Sequence, residues 1–152
     1  MSGCIVEINL APDLGRSMTT QEKAEALPGR GLFGDRKCKT KIVKDTVYKR
    51  QITFIEIEQI HRFNDFYGFE MKPSETRRNV VTQGIDLNQL VAREFTVGGV
   101  QMRGTELCEP CKYLQDLTGL PVVEGYLNRG GLCAEILNHG YIYTGDKIEP
   151  SP

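Results

Sequence analysis

The chain has 152 residues, of which 39% are hydrophobic and 26% charged, and its formal net charge is −1 at pH 7. These values are ordinary for a soluble globular protein, and the length predicts a single domain over residues 1–152. The lack of a basic surplus argues against general nucleic-acid binding, which needs cations to displace counterions from phosphates.

The sequence contains no apolar run that approaches the roughly 18 residues needed to span a bilayer. Its first residues lack the cationic start and long apolar core of a signal peptide. Five cysteines, an odd number, fit free thiols in a reducing compartment better than a disulfide framework. We therefore expect a cytoplasmic protein without a membrane partner.

The first third of the chain contains one clear strand. Alternating apolar and polar residues predict a strand over residues 4–10. Residues 17–32 and 36–50 are rich in polar and turn-forming residues, and we interpret both segments mainly as loops.

The middle of the chain begins with the strongest strand pattern, over residues 51–60. The following segment, residues 61–71, is predicted to be helical, with Phe63, Phe66 and Tyr67 on one stripe. Farther on, Asp86 is placed to cap a short helical turn that carries apolar residues at helical spacing.

The last third combines hairpin signals with one more helix. Residues 94–97 and 100–103 flank Gly98-Gly99, a connection typical of a hairpin. Pro110 suits the first position of a helix that Gly119 would end. Residues 132–137 and 141–143 flank another predicted tight turn. Many short strands with few helices predict a mainly β protein, a barrel or folded sheet with small helices at its ends.

The sequence Cys108-Glu-Pro-Cys111 is the strongest chemical signal. If Pro110 opens a helix, Cys111 lies in its first turn, where amide donors and the helix dipole stabilise a thiolate as a metal ligand or nucleophile. The alternatives are a small buried cysteine and a structural zinc site. Cys108, Cys111, Cys133 and His139 supply zinc-ligand types, although their spacing matches no common zinc module.

Arg77-Arg78-Asn79 is the second signal. Arginine guanidinium groups match phosphate oxygens in a two-point geometry, and an asparagine can donate to and accept from the edge of a heterocycle. The alternative interpretation is a solvated arginine pair that precedes a strand.

Two glycine-containing loops add candidate anion contacts. Residues 31–36 end in Asp35-Arg36, and glycines let backbone amides approach an anion while Arg36 adds charge. An internal Asp35–Arg36 turn is the commoner explanation. The segment 15–17 is a weaker signal of the same kind. Arg129-Gly130-Gly131 either shapes a bulge before the following strand or adds another cation to a site, and we favour the bulge.

These segments, taken together, resemble the MOSC domain, named for the C-terminal part of molybdenum cofactor sulfurases. The resemblance runs nearly end to end, and its motifs occur in the family's order. They are Ile5-Val-Glu-Ile8, Ala11-Pro12, Gly15-Arg-Ser-Met18, Gly31-Leu-Phe-Gly-Asp-Arg36, Arg77-Arg-Asn-Val-Val81, Gly84-Ile-Asp-Leu87, Leu90-Val91, the segment 100–111 and Gly145-Asp146.

The resemblance implies a compact MOSC-type β-barrel-like fold and binding of a molybdopterin-type cofactor. Related amidoxime-reducing and hydroxylaminopurine-reducing proteins hold molybdenum through a cysteine in the matching segment, which identifies Cys111, rather than Cys108, as the ligand. Arg78 stands where the amidoxime reducers commonly have proline. The positions that resemble those embracing the cofactor's phosphate and pterin are Arg16, Ser17, Arg36, Arg77 and Asn79.

Two functions follow from the resemblance. The first is a small molybdenum enzyme that reduces N-hydroxylated compounds with an external electron donor, since the chain has no haem, flavin or iron–sulfur motif. The second is a carrier of persulfide sulfur or of the molybdenum cofactor that acts through Cys111 with a sulfur donor or acceptor protein. A zinc-stabilised binding module is the third possibility.

Overall fold

The computed structural model describes residues 1–13, 17–42 and 45–152. Its described strands are β1 Gly3–Leu10, β2 Thr19–Gln21, β3 Lys23–Leu27, β4 Gly31–Leu32, β5 Ile52–Glu56, β6 Val80–Gln83, β7 Glu94–Val97, β8 Val100–Leu107, β9 Leu132–Ile136, β10 Gly140–Tyr143 and β11 Lys147–Pro150. The described helices are α1 Ile57–Tyr67, α2 Lys112–Thr118 and α3 Val122–Gly125, with 3₁₀ turns at Pro73–Thr76 and Leu87–Leu90.

Seven of these strands close into a barrel. Their order around the barrel is β11-β7-β8-β9-β5-β6-β1, and pairing of β1 with β11 completes the ring. β5 and β6 run parallel, because α1 and the first 3₁₀ turn connect them, and the other neighbours pair antiparallel. β2 extends the sheet beside β1, while β10, β3 and β4 form a separate small sheet. The predicted mainly β, barrel-like fold with short helices is confirmed.

The apolar side chains form two cores. One fills the barrel and includes Phe54 and Phe95, whose rings meet edge to face at a centroid distance of 5.7 Å. The other lies between the barrel and its helices, where Phe63 stacks on Tyr126 and Leu114 packs nearby. The second core anchors α1 and α2 to the outside of the barrel.

The predicted strand over residues 51–60 is correct only in its first half. β5 ends at Glu56, and α1 begins at Ile57 and ends at Tyr67, where Gly68 takes a left-handed conformation with φ of 73°. Short apolar runs fit both periodicities, and packing against the second core selects the helix. Of the aromatic residues predicted to share one stripe, Phe63 is buried, whereas Phe66 is 78% exposed.

The prediction that residues 17–32 are mainly loop is wrong. This segment supplies β2, β3 and β4, which are too short and polar to be recognised without their partners. β3 pairs with β10, which therefore lies in the small sheet, whereas β9 lies in the barrel. The strands on either side of the predicted turn near residue 139 thus pair with different partners.

The third predicted helix begins later than expected. α2 starts at Lys112 with Cys111 as its N-cap, so Pro110 lies outside the helix. Its end at Gly119, with φ of 73°, is confirmed. The hairpin at Gly98-Gly99 and the turn capped by Asp86 are also confirmed. Within the described ranges, no helix has the length and apolar character required to cross a membrane.

Candidate functional site

A cavity of about 90 Å³ lies at the edge of the barrel where β1 ends and β5 and β6 begin. Its lining combines four cationic side chains, one carboxylate and one cysteine. The lining residues are Ala11, Met18, Asp35, Arg36, Lys37, Thr53, Arg77, Arg78, Asn79, Cys111, Tyr113 and Leu114. The sequence-predicted residues Arg36, Arg77, Asn79 and Cys111 are thus brought to one place.

Arg77 directly follows the 3₁₀ turn Pro73–Thr76 as its C-cap, with a left-handed φ of 64° that is uncommon for a residue other than glycine. Its backbone N–H donates to the carbonyl of Ser74 at 3.2 Å. Burial lowers the pKa of its guanidinium, and the neighbouring Arg36 charge lowers it further. The protein therefore holds two like charges together at the cavity, an arrangement that a bound anion would stabilise.

Asp35 fixes the loop that carries Arg36. Its Oδ1 accepts a hydrogen bond from the Ala11 N–H at 2.8 Å, and the Arg36 N–H donates to the Ala11 carbonyl at 2.7 Å. Gly34 allows the sharp approach, since its φ is 88°. Asp35 and Arg36 therefore lie in a turn, and the same turn places Arg36 at the cavity.

Asn79 joins three segments beneath the cavity. Its Oδ1 accepts from both the backbone N–H and the hydroxyl of Thr53, each at 3.1 Å. Its Nδ2 donates to the Asn9 carbonyl at 3.1 Å and to Asp35 Oδ1 at 3.3 Å. The protein itself thus uses both the acceptor and the donor side of this amide, and Asn79 organises the floor of the cavity.

Cys111 lies at the cavity wall and is exposed to solvent. As the N-cap of α2, its Sγ accepts a hydrogen bond from the Leu114 N–H at 3.4 Å. A sulfur that is both accessible and in contact with an amide donor is suited to act as a thiolate ligand or nucleophile.

Cys108, by contrast, is buried and does not line the cavity. A hydrogen bond from Cys133 lowers the pKa of Cys108 to about 6, and Arg78, Arg50 and Lys37 add to this effect against the opposing effect of burial. The same hydrogen bond, together with burial, raises the pKa of Cys133. The two thiols therefore form a buried pair behind the site.

Lys37 is a lining residue that the sequence analysis missed. Burial is the main cause of its lowered pKa, Arg36 and Arg78 add to it, and Cys108 opposes it. Its position directly after Arg36 is the signal that could have identified it, because the same loop carries both residues. Tyr113 and Met18 were also missed.

A groove of about 300 Å³ adjoins the cavity, with which it shares Arg77 and Met18. Ser17 and Ser74 line this groove, together with residues near the end of α2. Ser17 therefore lies beside the cavity rather than in it. The predicted contact Arg16 lies outside the described residues.

Other candidates lie elsewhere. Arg129 pairs with Asp86 at 3.0 Å and is not among the residues that line the cavity. His139 Nε2 lies 2.7 Å from Glu25 Oε2. In residues 1–13, 17–42 and 45–152, no three side chains of His, Cys, Asp or Glu form a group able to hold a metal ion, so the zinc alternative has no site there.

The fold and site together define a small strand-built barrel with clustered cations and an accessible cysteine at one edge. The model of the MOSC domain matches residues 28–149. The chain belongs to the MOSC domain family, which is associated with binding of the molybdenum cofactor.

Solved structures share this fold at low sequence identity. The YuaD protein from Bacillus subtilis superposes with a TM-score of 0.84 and 20% identity over 99% of this chain and 96% of that chain. YiiM from Geobacillus stearothermophilus has a TM-score of 0.76 and 15% identity, covering 99% of this chain and 75% of its own. YiiM from Escherichia coli has a TM-score of 0.72 and 14% identity, covering 100% and 70%. Among curated protein sequences, none matches this chain.

Proposed function

We propose that this protein binds a molybdopterin-type cofactor at the cationic cavity, with Cys111 as the protein ligand to molybdenum. The observation that carries the proposal is the convergence of Cys111 with Arg36, Arg77, Lys37 and their neighbours on one cavity of a MOSC domain. A thiolate is a soft ligand suited to such a metal, and arginine forks suit a phosphate. The donor set therefore fits both ends of the cofactor.

The residues of the cavity and of the adjoining groove are proposed to have different roles. Arg36 and Arg77 would hold the cofactor's phosphate. Burial and, to a smaller extent, repulsion by Arg36 lower the pKa of Arg77, and the negative charge of the phosphate would relieve that repulsion. Ser17 is proposed to extend these contacts along the adjoining groove, and Arg16 is proposed as a further cofactor contact from the family resemblance alone. Asn79 is proposed to support the site, because its hydrogen bonds with Asp35 and Thr53 hold the floor of the cavity in place.

We further propose that the reaction is reduction of small N-hydroxylated compounds. The cofactor, when bound, supplies a metal that exchanges electrons and accepts oxygen. Reduction of an N–OH group to an N–H group takes up two electrons and two protons and releases water, so an external electron donor is required. The exposed position of Cys111 at the cavity wall leaves a path for a small substrate.

The same exposed cysteine favours one second function, carriage of sulfur or of the cofactor. A solvent-accessible sulfur at a helix start can bear a persulfide and meet a donor or acceptor protein. Unlike the reductase, this function needs no turnover of a small substrate.

Metal, pterin and activity measurements on protein purified from a host that makes the molybdenum cofactor distinguish these functions. We expect stoichiometric molybdenum and pterin, together with reduction of a hydroxylamine or amidoxime by a chemical electron donor. Bound cofactor without turnover of any N-hydroxylated compound would favour cofactor carriage. A folded protein that lacks molybdenum but carries a persulfide on Cys111, read from the mass of its tryptic peptide, would contradict the reductase.

A further inference from the structure

Arg78 is a buried arginine whose hydrogen bonds lead to the segment before Cys111. The residue is 8% exposed. The Nε atom donates to the Gly130 carbonyl at 2.9 Å, and Nη2 donates to the carbonyls of Cys108 at 3.1 Å and Glu109 at 3.4 Å. One guanidinium therefore ties the turn before β9 to the connection between β8 and α2.

That connection has no regular structure of its own. Residues 108–110 lie between the end of β8 and the N-cap of α2. The Cys108 N–H donates to the Gly131 carbonyl at 2.8 Å, and Gly130 is so close to Pro110 and the Cys108 carbonyl that a side chain there would collide with them. The connection is thus packed against the turn before β9, and Arg78 binds the carbonyls on both sides.

The neighbouring arginines have different roles. Arg77 lines both the cavity and the adjoining groove, and its backbone is in the left-handed region. Arg78 also lines the cavity, but its guanidinium donates to backbone carbonyls inside the protein. A planar guanidinium can donate to acceptors on two segments at once, which a lysine ammonium does with less geometric definition.

We propose that Arg78 is a positioning residue that holds the connection 108–110 in place and thereby keeps Cys111 on the wall of the cavity that Arg36 and Arg77 also line. The role of Cys111 as a molybdenum ligand rests on the proposed function. The positioning itself rests only on the hydrogen bonds of Arg78, so it can be tested on protein without any cofactor.

The test is hydrogen–deuterium exchange of the metal-free protein, followed on peptides that cover residues 107–114. Arg78→Met keeps much of the side-chain volume but removes every donor, and we expect backbone exchange in this segment to become at least about tenfold faster. Arg78→Lys keeps the charge and is expected to give a smaller increase. If Arg78→Met does not fold, Arg78→Lys alone provides the test. The proposal then predicts faster backbone exchange that is confined to this segment and to the turn before β9.

Arg103→Met is the matched control, since Arg103 lies on β8 and pairs with the side chains of Glu94 and Glu135 at 3.0 Å. We expect it to leave exchange in residues 107–114 unchanged. Unchanged exchange in the Arg78 variants would overturn the positioning role. Protein from a cofactor-producing host adds the second measurement: molybdenum per folded chain should fall in Arg78→Met but not in Arg103→Met. Absence of molybdenum from the wild-type protein would count against the proposed function. The positioning role of Arg78 would then be tested by the hydrogen–deuterium exchange alone.

Discussion

Asp35 and Asn79 are joined by a hydrogen bond of 3.3 Å between Oδ1 and Nδ2, across 44 residues of sequence. Asp35 fixes the loop that carries Arg36, and Asn79 lies two residues after Arg77. This bond therefore couples the two chain segments whose arginines meet at the cavity. The geometry of the proposed phosphate site depends on a contact beneath it.

The first prediction concerns this floor. Asn79→Ala removes an amide that is 5% exposed and leaves the Thr53 N–H and the Asn9 carbonyl without their partner. We expect the free energy of unfolding to fall by about 2–4 kcal/mol in urea denaturation. Asn88→Ala, which removes one exposed bond to the Asn128 carbonyl, is the control and should cost less than about 1 kcal/mol. Equal losses would contradict a special role of Asn79.

The second prediction uses the left-handed backbone of Arg77. Arg77→Gly and Arg77→Ala both remove the guanidinium, but only glycine accepts a φ of 64° without strain. The glycine variant should therefore be more stable than the alanine variant by about 1 kcal/mol. Both should lose pyrophosphate affinity equally in calorimetric titration. A difference in affinity between them would show that the backbone, rather than the charge, governs anion binding.

The third prediction concerns the pH dependence of anion binding. Because burial lowers the pKa of Lys37 below that of an ordinary lysine, the side chain loses its charge earlier as pH rises. Pyrophosphate affinity should therefore fall, by up to roughly tenfold, as pH rises from neutral toward the ordinary lysine pKa of about 10.4. Lys37→Arg stays charged and should keep its affinity over this range. A parallel fall in that variant would assign the pH dependence to another group.

The fourth prediction concerns stability and the buried thiols. The pKa of Cys108 is about 6 in the folded protein and near 9 in the unfolded chain, so between these values the unfolded state binds more protons. The contribution of Cys108 to the free energy of unfolding is therefore present above about pH 9 and is lost as pH falls toward 6. Cys133→Ala removes the hydrogen bond that lowers this pKa, and the pH dependence should flatten. Cys4→Ala, which leaves both thiols in place, should retain it.

The sequence predicts those parts of the fold whose signals are local. The hairpin at Gly98-Gly99 and the turn capped by Asp86 were found because glycine and capping residues act within a few positions. The switch from strand to helix at Ile57 was missed because the choice is made by packing against the second core. The polar strand β3 was missed because its partner β10 lies more than a hundred residues later.

In the candidate site, too, the residues with local signals were predicted and those that depend on packing were missed. The sequence analysis identified Arg36, Arg77 and Cys111 because guanidinium and thiol groups are chemically distinctive. The motifs that contain them also occur in the order of the family that the chain resembles. Lys37 was missed because its burial at the cavity cannot be inferred from the sequence, although its position directly after Arg36 places it on the same loop. The partners of Arg78 were equally hidden, since they are backbone carbonyls some 30 and 52 residues away.

The most direct test of the account is the molybdenum content of two cysteine variants purified from a cofactor-producing host. Cys111 lines the cavity and Cys108 is buried behind it, so the two residues separate ligation from structure. We predict that Cys111→Ser folds with wild-type stability but loses molybdenum, whereas Cys108→Ser retains molybdenum in its folded fraction. Molybdenum retained in Cys111→Ser, or lost equally in both variants, would contradict Cys111 as the ligand.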